Sequence, residues 1–116
     1  MIAMIFEVWP KAEHKQEYLN TAAQLRSLLE SIPGFISNER FESLNEPGKI
    51  LSLGFFEDEV SLTRWRNLPE HRKAQSAGRN TFFNNYRLRI AEISRDYGMD
   101  DRAQAPSDSQ RVHSSA

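Results

Sequence analysis

Residues 2–9 read Ile2-Ala3-Met4-Ile5-Phe6-Glu7-Val8-Trp9, and this stretch decides the layering of the fold. Successive side chains of a strand point to opposite faces. Here Ile2, Met4, Phe6 and Val8 fill one parity, and Ala3, Ile5 and Trp9 fill the other, with Glu7 the sole polar interruption. A strand apolar on both parities predicts burial on both faces, so something must cover each side of its sheet. Pro10 ends the run by removing a ladder donor.

Downstream, the period changes. From Glu13 to Ser31 the residues Tyr18, Ala22, Leu25, Leu29 and Ile32 recur at helical steps, with Lys15, Gln16, Gln24 and Arg26 off the stripe. Pro33-Gly34 stops that helix. Phe35 to Leu44 alternates imperfectly, Glu46-Pro47-Gly48 has the composition of a type II turn, and Lys49 to Phe56 follows as a strand, which together predict an antiparallel hairpin. Asp58 is placed to cap a second helix running to Asn67. Leu68-Pro69 breaks it, and Pro69 can open a restarted helix that carries His71 to Arg79. Phe82-Phe83 lead to a last strand, Tyr86 to Tyr97, whose apolar parity switches and predicts a bulge or bend near residue 90. The order β-α-β-β-α-β predicts an α+β, ferredoxin-like fold with a four-stranded antiparallel sheet.

Two helices cover one face of such a sheet. Leaving the other wet would expose side chains worth roughly 1.5–3 kcal/mol each on full burial, and an apolar patch of that kind marks an interface. An identical sheet packed face to face is the economical cover, so a homodimer is expected. The folded domain is expected over residues 1–98. Residues 99–116 collapse in composition to Asp, Ser, Gln, Ala and Pro, and read as a polar tail, disordered or docked on a partner.

The totals exclude several functions. With 39% hydrophobic and 27% charged residues and a net charge of −1, the chain has no field to recruit nucleic acid or an anionic membrane surface. It has no cysteine, so thiolate metal sites and cysteine nucleophiles are out. No apolar run approaches the roughly 18 residues of a membrane span, and the start lacks a basic signal region, so the default location is cytoplasmic. His14, His71 and His113 are far apart with no carboxylate at ligand spacing, and no metal site is expected. The strand Ile50 to Phe56 lacks the basic, aromatic motif of an RNA-recognition sheet.

Candidate chemistry gathers in Trp65-Arg66-Asn67-Leu68-Pro69-Glu70-His71-Arg72-Lys73-Ala74-Gln75-Ser76-Ala77-Gly78-Arg79. His71 titrates near neutrality and can act as base or acid; a surface or core-bound histidine is the bland alternative. Gln75, four residues on, shares its helical face. Trp65 is a ring wall for a flat guest or a core anchor, and pocket walls are often both. Glu7 needs a cationic partner, with Arg40, Arg87 or Arg89 on neighbouring strands available, or it joins the site. Tyr86 can offer a hydroxyl at a pocket mouth. Arg64, Arg66, Arg72, Lys73 and Arg79 make a basic stretch, read as a solvated face or as capture of an anionic ligand.

Taken together, Phe35 to Arg40 after Pro33-Gly34, the turn Glu46-Pro47-Gly48, Trp65 to Arg72 and Tyr86-Arg87-Leu88-Arg89 resemble the antibiotic biosynthesis monooxygenase family over about residues 1–98. The resemblance implies a dimeric α+β barrel of paired ferredoxin-like subunits. It implies cofactor-independent oxygenation of a small flat aromatic, an anthrone or quinol, with O₂, with no metal or organic cofactor. On it, His71 becomes the expected base, Trp65 and Phe55 ring-packing walls, Gln75 and Tyr86 donors, and Glu7 a partner or second acid. A non-catalytic binding or dimerisation domain of the same fold is the alternative. A haem-degrading branch of the superfamily is disfavoured, because Glu7 and Gln75 stand where that branch has asparagine and histidine, and His71 lies closer to Trp65.

Overall fold

A computed structural model describes residues 1–113. Four strands, β1 (Ile2–Pro10), β2 (Phe35–Glu42), β3 (Ile50–Phe56) and β4 (Phe83–Glu92), form one sheet in the order β2-β3-β1-β4, with every neighbouring pair antiparallel. Helix α1 (Lys15–Glu30) follows a 3-10 turn at Ala12–His14 and joins β1 to β2. Helices α2 (Glu59–Asn67) and α3 (Pro69–Ala77), then a π-helical turn at Gly78–Phe82, join β3 to β4. This is the ferredoxin-like α+β fold.

The punctuation residues act as their chemistry dictates. The Asp58 carboxylate accepts from the Ser61 N–H at 2.9 Å and the Ser61 hydroxyl at 2.8 Å, capping α2. Pro69 opens α3 where its missing N–H costs nothing. Lys49 N–H donates to the Glu46 carbonyl at 3.1 Å across a turn with Gly48 at φ 89°. Gly34 has φ 90°, and a β-carbon there would stand 1.9 Å from the Ser61 hydroxyl oxygen, so glycine is required twice over.

Pairing parity sorts the side chains. Ile2, Met4, Phe6 and Val8 of β1 share the helix-covered face with Phe56, Gly54, Ser52 and Ile50 of β3. At one end Ile2, Phe56, Leu29, Ile32, Leu62 and Trp65 form a buried cluster; at the other Val8, Ile50 and Tyr18 are buried among Phe6, Phe82, Phe83 and Tyr86. Among the described residues, the helical side chains of both core clusters pack on this one side of the sheet. The opposite face carries Ile5, Trp9, Phe41, Leu51, Leu53 and Phe55. Near its middle Glu7 is bound by Lys49, at 2.7 Å, and by Arg89. These two cations hold the Glu7 carboxyl below its ordinary value, Lys49 most of all.

Several expectations are corrected. Of the three expected partners of Glu7, Arg89 does pair with it, Lys49 joins unforeseen, and Arg40 lies on the other face, opposite Ser52. The last strand spans Phe83–Glu92, beginning before Tyr86 and ending before Tyr97. No bulge lies near residue 90, because pairing with β1 is continuous from Asn85 to Glu92; the irregularity falls opposite Trp9 and Pro10, next to Phe83. The parity switch has another cause. Leu88 and Ile90 sit on the helix-side parity of an edge strand that the helices only partly cover, and remain 46% and 41% exposed. Ile93 lies past the strand, its N–H bonded to the Met1 carbonyl.

In the C-terminal segment a short helix, α4 (Ser107–Val112), follows a turn. Its hydrogen bonds are local: Arg102 donates to the Gly98 carbonyl and to Ser109, and Gln110 donates to the Ala105 carbonyl. Ala105 is buried and the Arg102 guanidinium lies over the Tyr97 ring at 5.2 Å. The final residues 114–116 of the expected tail lie outside the described residues.

Candidate functional site

Between the sheet and the helices lies a cavity of about 420 Å³, within the size range of small-molecule sites. Met4, Phe6 and Ser52 form part of its floor, α1 contributes Tyr18, Ala22, Leu25 and Arg26, and the α2–α3 corner with β4 contributes Trp65, His71, Gln75, Arg79 and Tyr86. The break at Leu68-Pro69 makes this corner. Leu68 N–H closes the end of α2 on the Trp65 carbonyl at 3.2 Å, and α3 restarts at an angle that brings His71 back over Trp65.

The two rings stack, centroids 4.0 Å apart and planes 20° from parallel. His71 Nδ1 lies 3.0 Å from the Trp65 carbonyl oxygen. A carbonyl only accepts, so Nδ1 carries the proton and Nε2 keeps its lone pair in the neutral ring. Gln75 offers Nδ1 no acceptor: its oxygen accepts from Arg72 at 3.0 Å and its amide N–H₂ donates to the Arg66 carbonyl at 3.3 Å, so the Trp65 carbonyl alone sets the tautomer. Burial, aided by the charges of Arg72 and Arg40 and opposed by the Trp65 carbonyl, holds the His71 pKa below its ordinary value of 6.5. The ring is therefore neutral at neutral pH, with Nε2 as an available base.

Tyr86 extends this wall. Its ring packs on Phe6 and Phe83, and its hydroxyl oxygen accepts from Arg79, whose guanidinium lies over the ring at 5.6 Å. The oxygen being held as an acceptor leaves its own proton free to donate.

The structure thus brings Trp65, His71, Gln75 and Tyr86 around one cavity. It does not bring Glu7 or Phe55 there, since both occupy the parity that faces away from the helices. The sequence reading missed the opposite pole, built by Arg26, Asn38, Arg40 and Ser52. Asn38, buried, donates to Ser52 Oγ at 3.2 Å; its side-chain oxygen faces Arg40 at 3.4 Å and its carbonyl accepts from Arg26 at 2.6 Å. The missed signal was parity: Asn38, Arg40 and Ser52 are polar residues at core-facing positions, which the hairpin register makes neighbours.

The family model for antibiotic biosynthesis monooxygenases matches residues 1–77. The chain belongs to that family. A relative from the fungus Pyricularia oryzae, named jasmonate monooxygenase ABM, is 45% identical over 94 residues, covering 81% of this chain and 44% of the relative. The chain thus spans less than half the length of that protein. Among solved structures, a conserved protein from Methanosarcina mazei superposes with a TM-score of 0.73 at 18% identity, over 80% of this chain and 92% of that one. A Deinococcus radiodurans protein, titled as a candidate antibiotic biosynthesis monooxygenase, superposes with a TM-score of 0.76 at 15% identity, over 84% and 97%. At such identities the likeness establishes the shared fold. Among the described residues no helix is long and apolar enough to cross a membrane, and no three metal-binding side chains converge.

Proposed function

We propose that the protein is a cofactor-independent monooxygenase that oxidises a small flat substrate of the anthrone or quinol type with O₂, working as a homodimer. The observation that carries this reading is the tethered, neutral His71, which presents a basic Nε2 in a largely apolar cavity beside the Trp65 ring.

In the proposed reaction with an anthrone-type substrate, Nε2 removes a proton from the ring CH₂ activated by adjoining ring and carbonyl groups. The resulting carbanion passes one electron to O₂, and the two radicals combine to a carbon-bound peroxide. The imidazolium returns the proton to give the hydroperoxide. Loss of the second C–H proton with O–O cleavage then yields a ketone and water, so one oxygen atom enters the product and the other leaves as water. Tyr86 O–H, its oxygen held by Arg79, donates to the substrate oxygen that gains charge. Gln75 holds the α2–α3 corner through Arg66 and Arg72. The jasmonate monooxygenase name of the Pyricularia relative agrees with oxidation of a small cyclic substrate.

The apolar sheet face with Ile5, Leu53 and Phe55 supports a two-fold dimer through that face. In this arrangement Glu7 and Phe55 are interface residues.

Oxygen uptake with a panel of anthrones and quinols tests the reading. Turnover by the native chain and its loss in His71→Ala, with the oligomer intact, is the expected result. Unchanged turnover in His71→Ala refutes the role of His71, and substrate binding without uptake favours a non-catalytic binding domain.

A further inference from the structure

Five arginines line the cavity: Arg26, Arg40, Arg66, Arg72 and Arg79, and no acidic side chain is among the residues lining it. Of these, among the described residues, only Arg26 has a carboxylate partner, Glu30 at 2.8 Å. Arg40 is held by neutral oxygens alone, the Tyr18 hydroxyl at 3.3 Å and the Asn38 amide at 3.4 Å, with its guanidinium 5.7 Å from the Tyr18 ring centroid. Arg26 and Arg40 both converge on Asn38, which is itself buried and fixed by Ser52. Arg26 donates to the backbone carbonyl of Asn38 and Arg40 faces its side-chain oxygen, so two guanidinium groups gather about one residue. Neutral oxygens set the direction of Arg40 without neutralising it, whereas Arg26 also pairs with Glu30. Trp65 and His71 line the same cavity, as do the apolar Met4, Phe6, Leu25 and Leu29.

From this arrangement we infer that the cavity selects an organic carboxylate. The carboxylate lies against Arg40 and Arg26 at the Asn38 pole, and the ring system lies over the apolar floor with its reactive end toward His71. Arginine is suited to this task, because its planar fork meets a carboxylate with two parallel hydrogen bonds. The inference deepens the proposed oxygenation by naming the substrate class, and rests on that reading only for which end of the guest reacts. The placement of the anion does not depend on it.

A matched pair of probes tests the claim by binding alone. Naphthalene-2-carboxylate and its methyl ester are titrated into the full chain at pH 7.5, following tryptophan fluorescence or heat. The acid is expected to bind about tenfold tighter than the ester, since charge-assisted hydrogen bonds are the stronger kind. Arg40→Gln should remove most of that preference with the ester unchanged, Arg40→Lys should keep part of it, and Arg95→Gln, outside the cavity, should keep all of it. Arg26→Gln provides a second reduction should Arg40→Gln fail to give the native circular dichroism spectrum. Equal binding of acid and ester, binding of neither, or an acid preference untouched by Arg40→Gln and Arg26→Gln overturns the inference. Because no turnover is read, an acid-selective protein inert toward O₂ sinks the proposed reaction and leaves this inference standing; turnover without acid preference does the reverse.

Discussion

The imidazole of His71 lies flat on the indole of Trp65, 4.0 Å between centroids, while its Nδ1 is tied to the backbone carbonyl of that same Trp65 at 3.0 Å. One residue therefore fixes both the plane of the ring and its tautomer. The six-residue separation could not reveal this, because the relationship exists only where the Leu68-Pro69 break folds α3 back over the end of α2.

A buried neutral histidine makes stability depend on pH. The folded pKa of His71 lies below the 6.5 of the free group, so the unfolded chain takes up the proton first as pH falls. Stability from this group is complete above about pH 6.5 and declines as pH drops from there through the lowered folded value, then levels. Thermal unfolding of the native chain and of His71→Gln across this range should differ in slope, with the variant flatter. Turnover should rise with pH through the same lowered value, since only neutral Nε2 can accept a proton.

Trp65 is buried at 5% exposure between the core cluster and the cavity. Trp65→Ala should cost about 3–5 kcal/mol in urea denaturation, as large aromatic truncations do. Trp65→Phe should lose less stability, yet move the His71 titration observed by NMR, since the stacking surface is smaller.

The two left-handed glycines separate strain from collision. Gly48→Ala meets only the φ penalty, because no atom lies within 4 Å of the added methyl, and should cost about 1 kcal/mol. Gly34→Ala adds a clash with Ser61 at the cap of α2 and should cost distinctly more. Chemical denaturation of the pair gives the ranking, and equal costs would contradict the stated cause.

The uncovered sheet face should hold the dimer. A charge placed at its centre by Leu53→Glu should raise the dimer dissociation constant roughly a hundredfold by sedimentation, as burial of an unpaired charge does. Val60→Glu, on the exposed side of α2, should leave it unchanged.

The two-sided apolar pattern of Ile2–Trp9, the helical stripe from Tyr18 to Ile32, the Pro47-Gly48 turn, the Asp58 cap and the restart at Pro69 are local signals, and each fixed its element without help from the rest of the chain. The bulge expected near residue 90 shows the limit of that kind of reading. Parity records which side chains are apolar, but the helices stop short of the edge strand, so Leu88 and Ile90 face the helix side and stay exposed. Partial cover is a property of the assembled layers.

For the site, sequence alone marked the stretch holding Trp65, His71 and Gln75 as one wall and put Gln75 on the helical face of His71, since these follow from local spacing. Only the tertiary structure decided that Tyr86 joins them while Glu7 and Phe55 face away, and that Arg40 crosses from a presumed partner of Glu7 to the cavity pole beside Asn38. The physical reason is register. Strand pairing sets the face on which each side chain emerges, and a shift of a single residue would exchange every such assignment.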